Sequence, residues 1–190
     1  MGLLCYFVSQ NLSIKVRYKP HISYIESSLM TIEILILLLL IIIANGAPIL
    51  IRVALNDSFN VAIDFGKRLP DNHRILGASK TWRGIFAALV ATPAAAWLLG
   101  YSPEAGLLVA LYAMAGDLLS SFIKRRLAMA PSSMAPLLDQ VPESLFPALM
   151  MMQTFNLDLT SVGLLVLIFV IVELALSHLL YRWGVRKRPY

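Results

Sequence analysis

Three short polar segments interrupt an otherwise apolar sequence, and they carry the residues best suited to chemistry. The first, LGASKTWRG at 76–84, places small residues and two cations just before an apolar stretch. Loops of small residues at helix N-termini present backbone N–H groups to anions, while lysine and arginine add charge. The segment therefore predicts a triphosphate-binding loop, although the two cations could equally anchor an apolar helix at the lipid headgroups. The candidate ligands are Gly77, Ser79, Lys80, Thr81 and Arg83.

The second segment, AGDLLSSFIKRRL at 115–127, places a carboxylate inside an apolar stretch. Asp117, Ser121 and Lys124 recur at spacings of four and three, so a helix presents them on one face. A carboxylate at membrane depth is costly unless it is paired, hydrated or bound to a metal, which favours a functional role for Asp117. The alternatives are a structural ion pair for Asp117 and a topological role for the KRR triplet, which includes Arg125.

The third segment, APLLDQVPES at 135–144, offers Asp139 and Glu143 between prolines. Two carboxylates, water and substrate phosphate oxygens form an ordinary shell for Mg²⁺, so Asp117 and Asp139 are the predicted metal ligands. Because Cys5 is the single cysteine, an intrachain disulfide and a cysteine-based zinc site are both excluded. Alternatively, Asp139 and Glu143 are solvated loop residues. The predicted catalytic residues are Asp117, Lys124, Arg125 and Asp139.

Some polar residues outside these segments are ambiguous. Asn45 lies in an aliphatic stretch close to Pro48, where it could bind a ligand or satisfy a helix kink. Asp64, in the long polar loop, could help to close over a nucleotide or belong to a solvated face. For Glu173 and His178, helix packing or an interfacial position is expected.

The elements that position these residues are predicted to be membrane-spanning helices. The sequence is 58% hydrophobic and only 14% charged, which is unusual for a soluble domain of 190 residues. Predominantly apolar runs of suitable length indicate an all-α polytopic membrane protein with about five transmembrane helices. The fourth run is short and follows several prolines, so a tilted or broken span is expected there. The predicted spans are 32–53, 84–101, 105–123, 144–157 and 159–181.

Basic residues predict the orientation of these helices. They concentrate in the 54–83 loop, the 124–143 loop and the C-terminus, which are therefore expected to be cytoplasmic, with the N-terminus outside. The net charge of +5 accompanies apolar stretches and forms no separate basic domain, so no nucleic-acid partner is expected. Residues 1–30 are predicted to be an N-terminal extension without chemistry, and no cleavable signal peptide is expected.

The motifs LGASKTWRG, GDLLSSFIKRRL and PLLDQVPES resemble, in order and spacing, those of archaeal CDP-archaeol synthases, over about residues 31 to 190. A more distant similarity links the chain to bacterial CDP-diacylglycerol synthases, whose signature matches Ser121, Lys124, Arg125 and Asp139. Two parts of that bacterial signature are replaced, by APSS at 130–133 and by PLL at 136–138. The similarity is therefore better to the archaeal branch.

The resemblance implies that residues 31–190 form a transmembrane cytidylyltransferase domain. Such an enzyme transfers CMP from CTP to the phosphate of 2,3-bis-O-geranylgeranyl-sn-glycerol 1-phosphate, giving CDP-archaeol and pyrophosphate in phospholipid biosynthesis. The implied cofactor is Mg²⁺, and the implied location is the cytoplasmic face of the cell membrane, in contact with membrane lipids. The resemblance also implies that Lys80 and Arg83 bind the CTP phosphates, while Lys124 and Arg125 position the lipid phosphate or leaving group. It leaves the oligomeric state open.

Other functions fit the sequence less well. A small transporter or channel for a phosphorylated solute should carry polar residues through the whole bilayer depth, whereas polarity here gathers on one side. A CDP-alcohol phosphatidyltransferase should carry clustered aspartates in a DGxxAR context, which the sequence lacks. A glycerol-phosphate acyltransferase would share the basic loops and need no CTP.

Overall fold

The computed structural model describes residues 30–56, 58–129, 135 and 137–182, and this part of the chain contains five α-helices. Two isolated antiparallel bridges, Ala62 with Thr81 and Arg68 with Arg74, lie in the loop between the first two helices. The all-α prediction is therefore confirmed for the described residues, whereas the extension predicted at 1–30 lies outside them apart from its last residue. The helices are α1 Met30–Leu55, α2 Trp82–Leu98, α3 Pro103–Arg126, α4 Gln140–Met150 and α5 Leu159–Arg182.

Three of the five helices in the described residues are long and apolar enough to cross a bilayer. These are α1 with 26 residues and α3 and α5 with 24 residues each. The 17 residues of α2 extend about 26 Å, and the 11 residues of α4 extend about 17 Å, compared with a hydrocarbon core of about 30 Å. The expected broken fourth segment is thus a short helix followed by turns, and the count of five spans stays a prediction.

Local sequence explains where the long helices begin. The Ser102 hydroxyl accepts a hydrogen bond from the Ala105 N–H at 3.2 Å, and a proline at the first helical position favours the start of α3. The Asp158 carboxylate accepts one from the Ser161 N–H at 2.7 Å at the start of α5. Gly106 then permits close packing of α3 on α2, because a Cβ there would lie 2.7 Å from the Pro93 Cα.

The helices share an apolar core, and their connections gather at two opposite ends. At one end Tyr101 stacks on Phe155 with ring centroids 4.7 Å apart. At the same end the Asn156 amide donates to the Glu33 carboxylate, near the start of α1, at 2.8 Å. The basic 56–81 loop therefore lies at the other end, where α1 finishes and α2 begins. This grouping agrees with the sidedness predicted from the basic residues, but it leaves the orientation in a membrane as a prediction.

Gly116 brings the start of α4 against α3. A Cβ at this position would lie 2.2 Å from the Pro142 carbonyl oxygen and 2.5 Å from the Pro142 carbonyl carbon. Real atoms cannot approach this closely, so only glycine allows the two backbones to pack in this way. The contact places Glu143, the residue after Pro142, beside Asp117, the residue after Gly116.

Gly116→Ala is expected to separate α4 from α3, because the new methyl group must displace the Pro142 backbone. Overpacking of this kind typically costs about 1–3 kcal/mol, so the thermal unfolding midpoint in detergent should fall. Gly163→Ala in α5 is the matched control, because a Cβ there meets nothing within 4 Å. Equal unfolding midpoints for the two variants would contradict the proposed packing.

Candidate active site

A buried aspartate organises the loop between α1 and α2. Asp64 is only 5% exposed, and Arg74 forms an ion pair with its carboxylate. The same carboxylate accepts hydrogen bonds from the N–H groups of Gly66 at 3.0 Å, Leu76 at 3.1 Å and Gly77 at 2.9 Å. Asp64 is therefore neither solvated nor directed at a nucleotide. It holds the start of the LGASKTWRG segment in place.

The environment of Asp64 makes the loop sensitive to acid. Burial alone would raise the pKa of Asp64, but hydrogen bonds from Arg74 and from the Gly77, Gly66 and Leu76 N–H groups lower it well below its usual range. A carboxyl group with a lowered folded-state pKa stabilises the fold above its unfolded pKa of about 3.9. This stabilisation is lost as the pH falls through the folded-state pKa.

Asp64→Asn should loosen the loop at neutral pH, because the amide loses the charge that Arg74 and the backbone N–H groups recognise. Hydrogen exchange followed by mass spectrometry should show faster exchange in peptides covering 64–77, with peptides from α5 unchanged. The unfolding midpoint should also depend less on pH in the variant than in the parent protein between about pH 5 and pH 3. Parent-like exchange in 64–77 would rule out this role.

A second anchor joins the loop to the end of α3. Arg126 forms an ion pair with Asp71, donates to the Arg74 carbonyl oxygen at 2.7 Å and lies over the Phe122 ring, 5.2 Å from its centroid. Arg125, the preceding residue, packs under Gly77, where a Cβ would lie 3.7 Å from the Arg125 Cδ. Two residues of the basic triplet at the end of α3, Arg125 and Arg126, therefore hold the loop in place.

The N-terminus of α2 opens into a cavity of about 600 Å³. Thr81 is the N-cap residue, and its side chain makes no capping hydrogen bond. The Lys80 carbonyl accepts from the Ile63 N–H at 2.9 Å, and the Trp82 N–H donates to the Val61 carbonyl at 3.0 Å, so the helix start is fixed in position. Among the predicted ligands, those that line the cavity are Ser79, Lys80, Thr81, Arg83 and Asp117.

Lys80 and Asp117 form an ion pair at the cavity wall, with side chains that are 21% and 18% exposed. The Glu143 carboxyl lies in hydrogen-bond contact with the Asp117 carboxyl and is itself 8% exposed. Burial alone would lower the pKa of Lys80, but the charges of Asp117, Glu143 and Asp139 raise it. The charges of three acidic side chains therefore act on one ammonium group, which stays protonated.

A second ion pair lies beside the first. The Lys124 ammonium is 2.6 Å from the Asp139 carboxylate, which also accepts from the Ala135 N–H at 3.1 Å. The charge of Lys124 acts on Asp117, and that of Asp139 acts on Lys80, so both pairs belong to one charged cluster. The structure thus brings Asp117 and Asp139 into one region, and each carboxylate faces a lysine.

Gln140, at the start of α4, fixes the third polar segment (135–144, hereafter the Pro-bounded segment) against α5. It is fully buried, its side-chain amide donates to the Glu173 carboxylate at 2.6 Å, and its side-chain oxygen accepts from the Leu137 N–H at 2.8 Å. The interhelical packing expected for Glu173 is confirmed. Sequence reasoning missed Gln140, although a polar residue directly after Asp139 at the start of a helix could have indicated a buried contact.

Two other predicted site residues, Arg83 and Asn45, donate side-chain hydrogen bonds to backbone carbonyl oxygens. Arg83 donates to the carbonyl oxygens of Asn56, at 2.7 Å, and Ser58, so it joins the end of α1 to α2. The Asn45 amide donates to the Ile41 carbonyl oxygen of the same helix at 3.2 Å. This contact is the one expected if Asn45 serves the helix and not a ligand. Like Gly77, Lys124, Arg125 and Asp139, Asn45 and Ser121 do not line the cavity. Ligand binding by these residues stays a prediction.

Comparison with known proteins identifies the family. A protein-family model described as CarS-like, CDP-archaeol synthase, matches residues 29–190. A CDP-archaeol synthase of Hyperthermus butylicus is 38% identical over 104 residues, which cover 52% of this chain and 59% of that protein. A CDP-archaeol synthase of Pyrobaculum calidifontis is 31% identical over 157 residues, which cover 78% of this chain and 91% of that protein.

The fold also matches a solved structure, described as an intramembrane enzyme for archaeal membrane lipids biosynthesis. The TM-score is 0.61 at 30% identity, with 75% of this chain and 90% of that chain covered. The matched region spans only about three-fifths of the first curated relatives, between 59% and 63% of their lengths. The family match itself extends over five helices and all three polar motifs, and the chain therefore belongs to the CarS-like CDP-archaeol synthase family.

Proposed function

We propose that the chain transfers the CMP moiety of CTP to the phosphate of 2,3-bis-O-geranylgeranyl-sn-glycerol 1-phosphate, giving CDP-archaeol and pyrophosphate. One observation carries the proposal. A helix start without a side-chain cap, with Ser79, Lys80 and Thr81, opens into the same cavity as the partly buried acidic residue Asp117. This arrangement suits a polyphosphate and a countercharge at the end of a bundle of apolar helices, in a chain of this family.

The chemistry requires little from a general base, because the acceptor phosphate is already an anionic nucleophile. The main task is to bring two anions together in line and to stabilise the charge on the leaving group. The N-terminus of α2 provides a favourable dipole for the triphosphate, while the Trp82 N–H is already bonded to the Val61 carbonyl oxygen. Lys80 would move its ammonium from Asp117 to the phosphates, and Arg83 borders the same cavity. Lys124 and Arg125 are proposed to position the lipid phosphate or the leaving group.

Mg²⁺ is the proposed cofactor, held by Asp117 and Asp139 as the sequence predicts, with Glu143 as a neighbouring acid. The donor set fits this ion, because Asp117 and Asp139 are carboxylates in one charged cluster, each paired with a lysine, and a divalent cation could replace an ammonium as their counterion. Within the described residues, no group of three or more acidic, histidine or cysteine side chains is arranged around a common metal position. Substrate phosphate oxygens and water would complete the shell. Bound there, Mg²⁺ neutralises triphosphate charge and stabilises departing pyrophosphate.

We place the site at the cytoplasmic face of the cell membrane in a multi-pass protein. The support is the concentration of basic residues in the loops beside the cavity, which favours a cytoplasmic position. CTP would then enter from the cytoplasm, and the lipid phosphate would enter sideways between helices, because its chains cannot leave the bilayer cheaply.

The test is a reconstitution of the reaction from purified components. The full chain in detergent is incubated with labelled CTP, MgCl₂ and a panel of lipid phosphates, and pyrophosphate and labelled lipid are quantified together. Equal amounts of pyrophosphate and CDP-lipid, dependent on both substrates and on MgCl₂, are the expected result. Pyrophosphate release without labelled lipid, or no reaction with any lipid phosphate, would count against the proposal.

A further inference from the structure

One of the basic side chains that line the cavity, that of Arg52, has no ion-pair partner among the described residues. Three basic residues line the cavity in the described part of the chain, namely Arg52, Lys80 and Arg83. Lys80 is paired with Asp117, and Arg83 donates to the backbone after α1. Arg52 is exposed, and no acidic side chain of the described residues forms an ion pair with it. Its guanidinium is therefore available to an anion that enters the cavity.

The position of Arg52 directs it toward the phosphate-binding loop. It follows Pro48 by one helical turn, so the two side chains lie on the same face of α1. Pro48 contacts the start of α2, because a Cβ at Gly84 would lie 3.2 Å from the Pro48 Cβ. The same face of α1 therefore approaches the N-terminus of α2, and Arg52 lines the cavity together with Ser79 and Thr81.

The surroundings of Arg52 favour an anion that carries apolar chains. Val53, the next residue on α1, lines the same cavity and is 52% exposed. The cavity wall also includes the apolar side chains of Ile85, Met114 and Leu118. Lys80 has a different environment, because it lies on the polar loop and pairs with Asp117. A phosphate at Arg52 would thus lie between this apolar wall and the proposed CTP-binding residues Ser79 and Thr81.

We infer that Arg52 binds the phosphate of the lipid acceptor and positions it for reaction with CTP. This inference rests on the proposed function, and it names the acceptor-binding residue of that site. A guanidinium can contact two phosphate oxygens at once, which both anchors and orients the nucleophile. Arg52 would then be a specificity residue for the anionic headgroup, while the apolar wall accommodates the lipid chains.

Steady-state kinetics of purified Arg52→Gln in mixed micelles tests the inference, with lipid phosphate and CTP varied separately. Loss of a bidentate charge-assisted contact should raise the KM for lipid phosphate by about 10- to 100-fold, and the KM for CTP should change less than about 2-fold. Arg52→Lys should fall in between. Lys67→Ala is the control, because Lys67 is an exposed cation in the loop that follows α1 and is not among the cavity-lining residues.

Two results would overturn the inference. One is a raised KM for CTP with an unchanged KM for lipid phosphate, and the other is parent-like kinetics for Arg52→Gln. Purified protein in micelles removes any effect of Arg52 on membrane orientation. If the parent protein makes no CDP-lipid, the proposed function fails separately. Arg52 is then tested by equilibrium binding of di-O-geranylgeranylglyceryl phosphate to parent and Arg52→Gln, where weaker binding by the variant supports the inference and equal binding overturns it.

Discussion

Asp117→Asn is expected to lower turnover at saturating substrates by about 10²- to 10³-fold, because the substitution removes the central negative charge and leaves the shape of the side chain. Asp117 lies at the cavity wall, pairs with Lys80 and contacts Glu143. It therefore connects the proposed nucleotide-binding loop with the Pro-bounded segment. Pyrophosphate release by purified protein measures the effect, and size-exclusion chromatography in detergent reports on folding.

Asp71→Asn is the matched control for this substitution. Asp71 also forms an ion pair, with Arg126, but it is an exposed loop residue outside the cavity. Its amide variant should retain turnover within about 3-fold, because exposed ion pairs contribute only about 0–1 kcal/mol. If Asp117→Asn folded normally and kept near-parent turnover, Asp117 would be removed from the proposed chemistry, and the metal site with it.

Hydropathy predicted the long helices closely. The predicted spans 32–53, 105–123 and 159–181 correspond to α1, α3 and α5, with ends that differ by no more than three residues. A long uncharged run has few alternatives to a helix in an apolar solvent, because every backbone polar group must be satisfied within the segment. The short α4 was less predictable, since its length depends on contacts with α3 and α5.

The sequence indicated which residue types form the site, but it did not indicate which side chains pair with one another. The motif at 76–84 indicated anion binding, and four of its five proposed ligands line the cavity. The pairing of Lys80 with Asp117 joins residues 37 positions apart, and no local spacing encodes such a contact. The contacts of Asp64 were not encoded by local spacing either. As a loop acid it was expected to be solvated or near a nucleotide, and tertiary contacts bury it instead.

The role of Glu143 also depended on the fold. Its place between prolines favoured a solvated residue, yet Gly116 lets the α4 backbone approach α3 and brings Glu143 to Asp117. The close approach requires a glycine on one helix and a specific register on the other. Sequence patterns indicate the glycine and leave the register undetermined.

The second large effect is expected at Lys80. Lys80→Met should reduce turnover by about 10²-fold or more, because the proposed triphosphate site loses its central cation. The variant should also be destabilised by about 1–3 kcal/mol, since Asp117 and Glu143 would stay close together without the ammonium that pairs with Asp117. These side chains are about one-fifth exposed, so the loss should be smaller than for a fully buried pair. Turnover and the thermal unfolding midpoint in detergent measure the two effects separately.

The double variant Lys80→Met with Asp117→Asn distinguishes a structural ion pair from a catalytic one. Removing the Asp117 charge should restore part of the unfolding midpoint lost in Lys80→Met, because the unpaired carboxylate is gone. Turnover should stay at the level of the less active single variant, since both groups are proposed to act on the same transition state. Lys67→Met in the same loop should leave both quantities close to those of the parent protein. Recovery of turnover together with stability would mean that Lys80 and Asp117 serve the fold alone, and the phosphate-binding role of Lys80 would have to be abandoned.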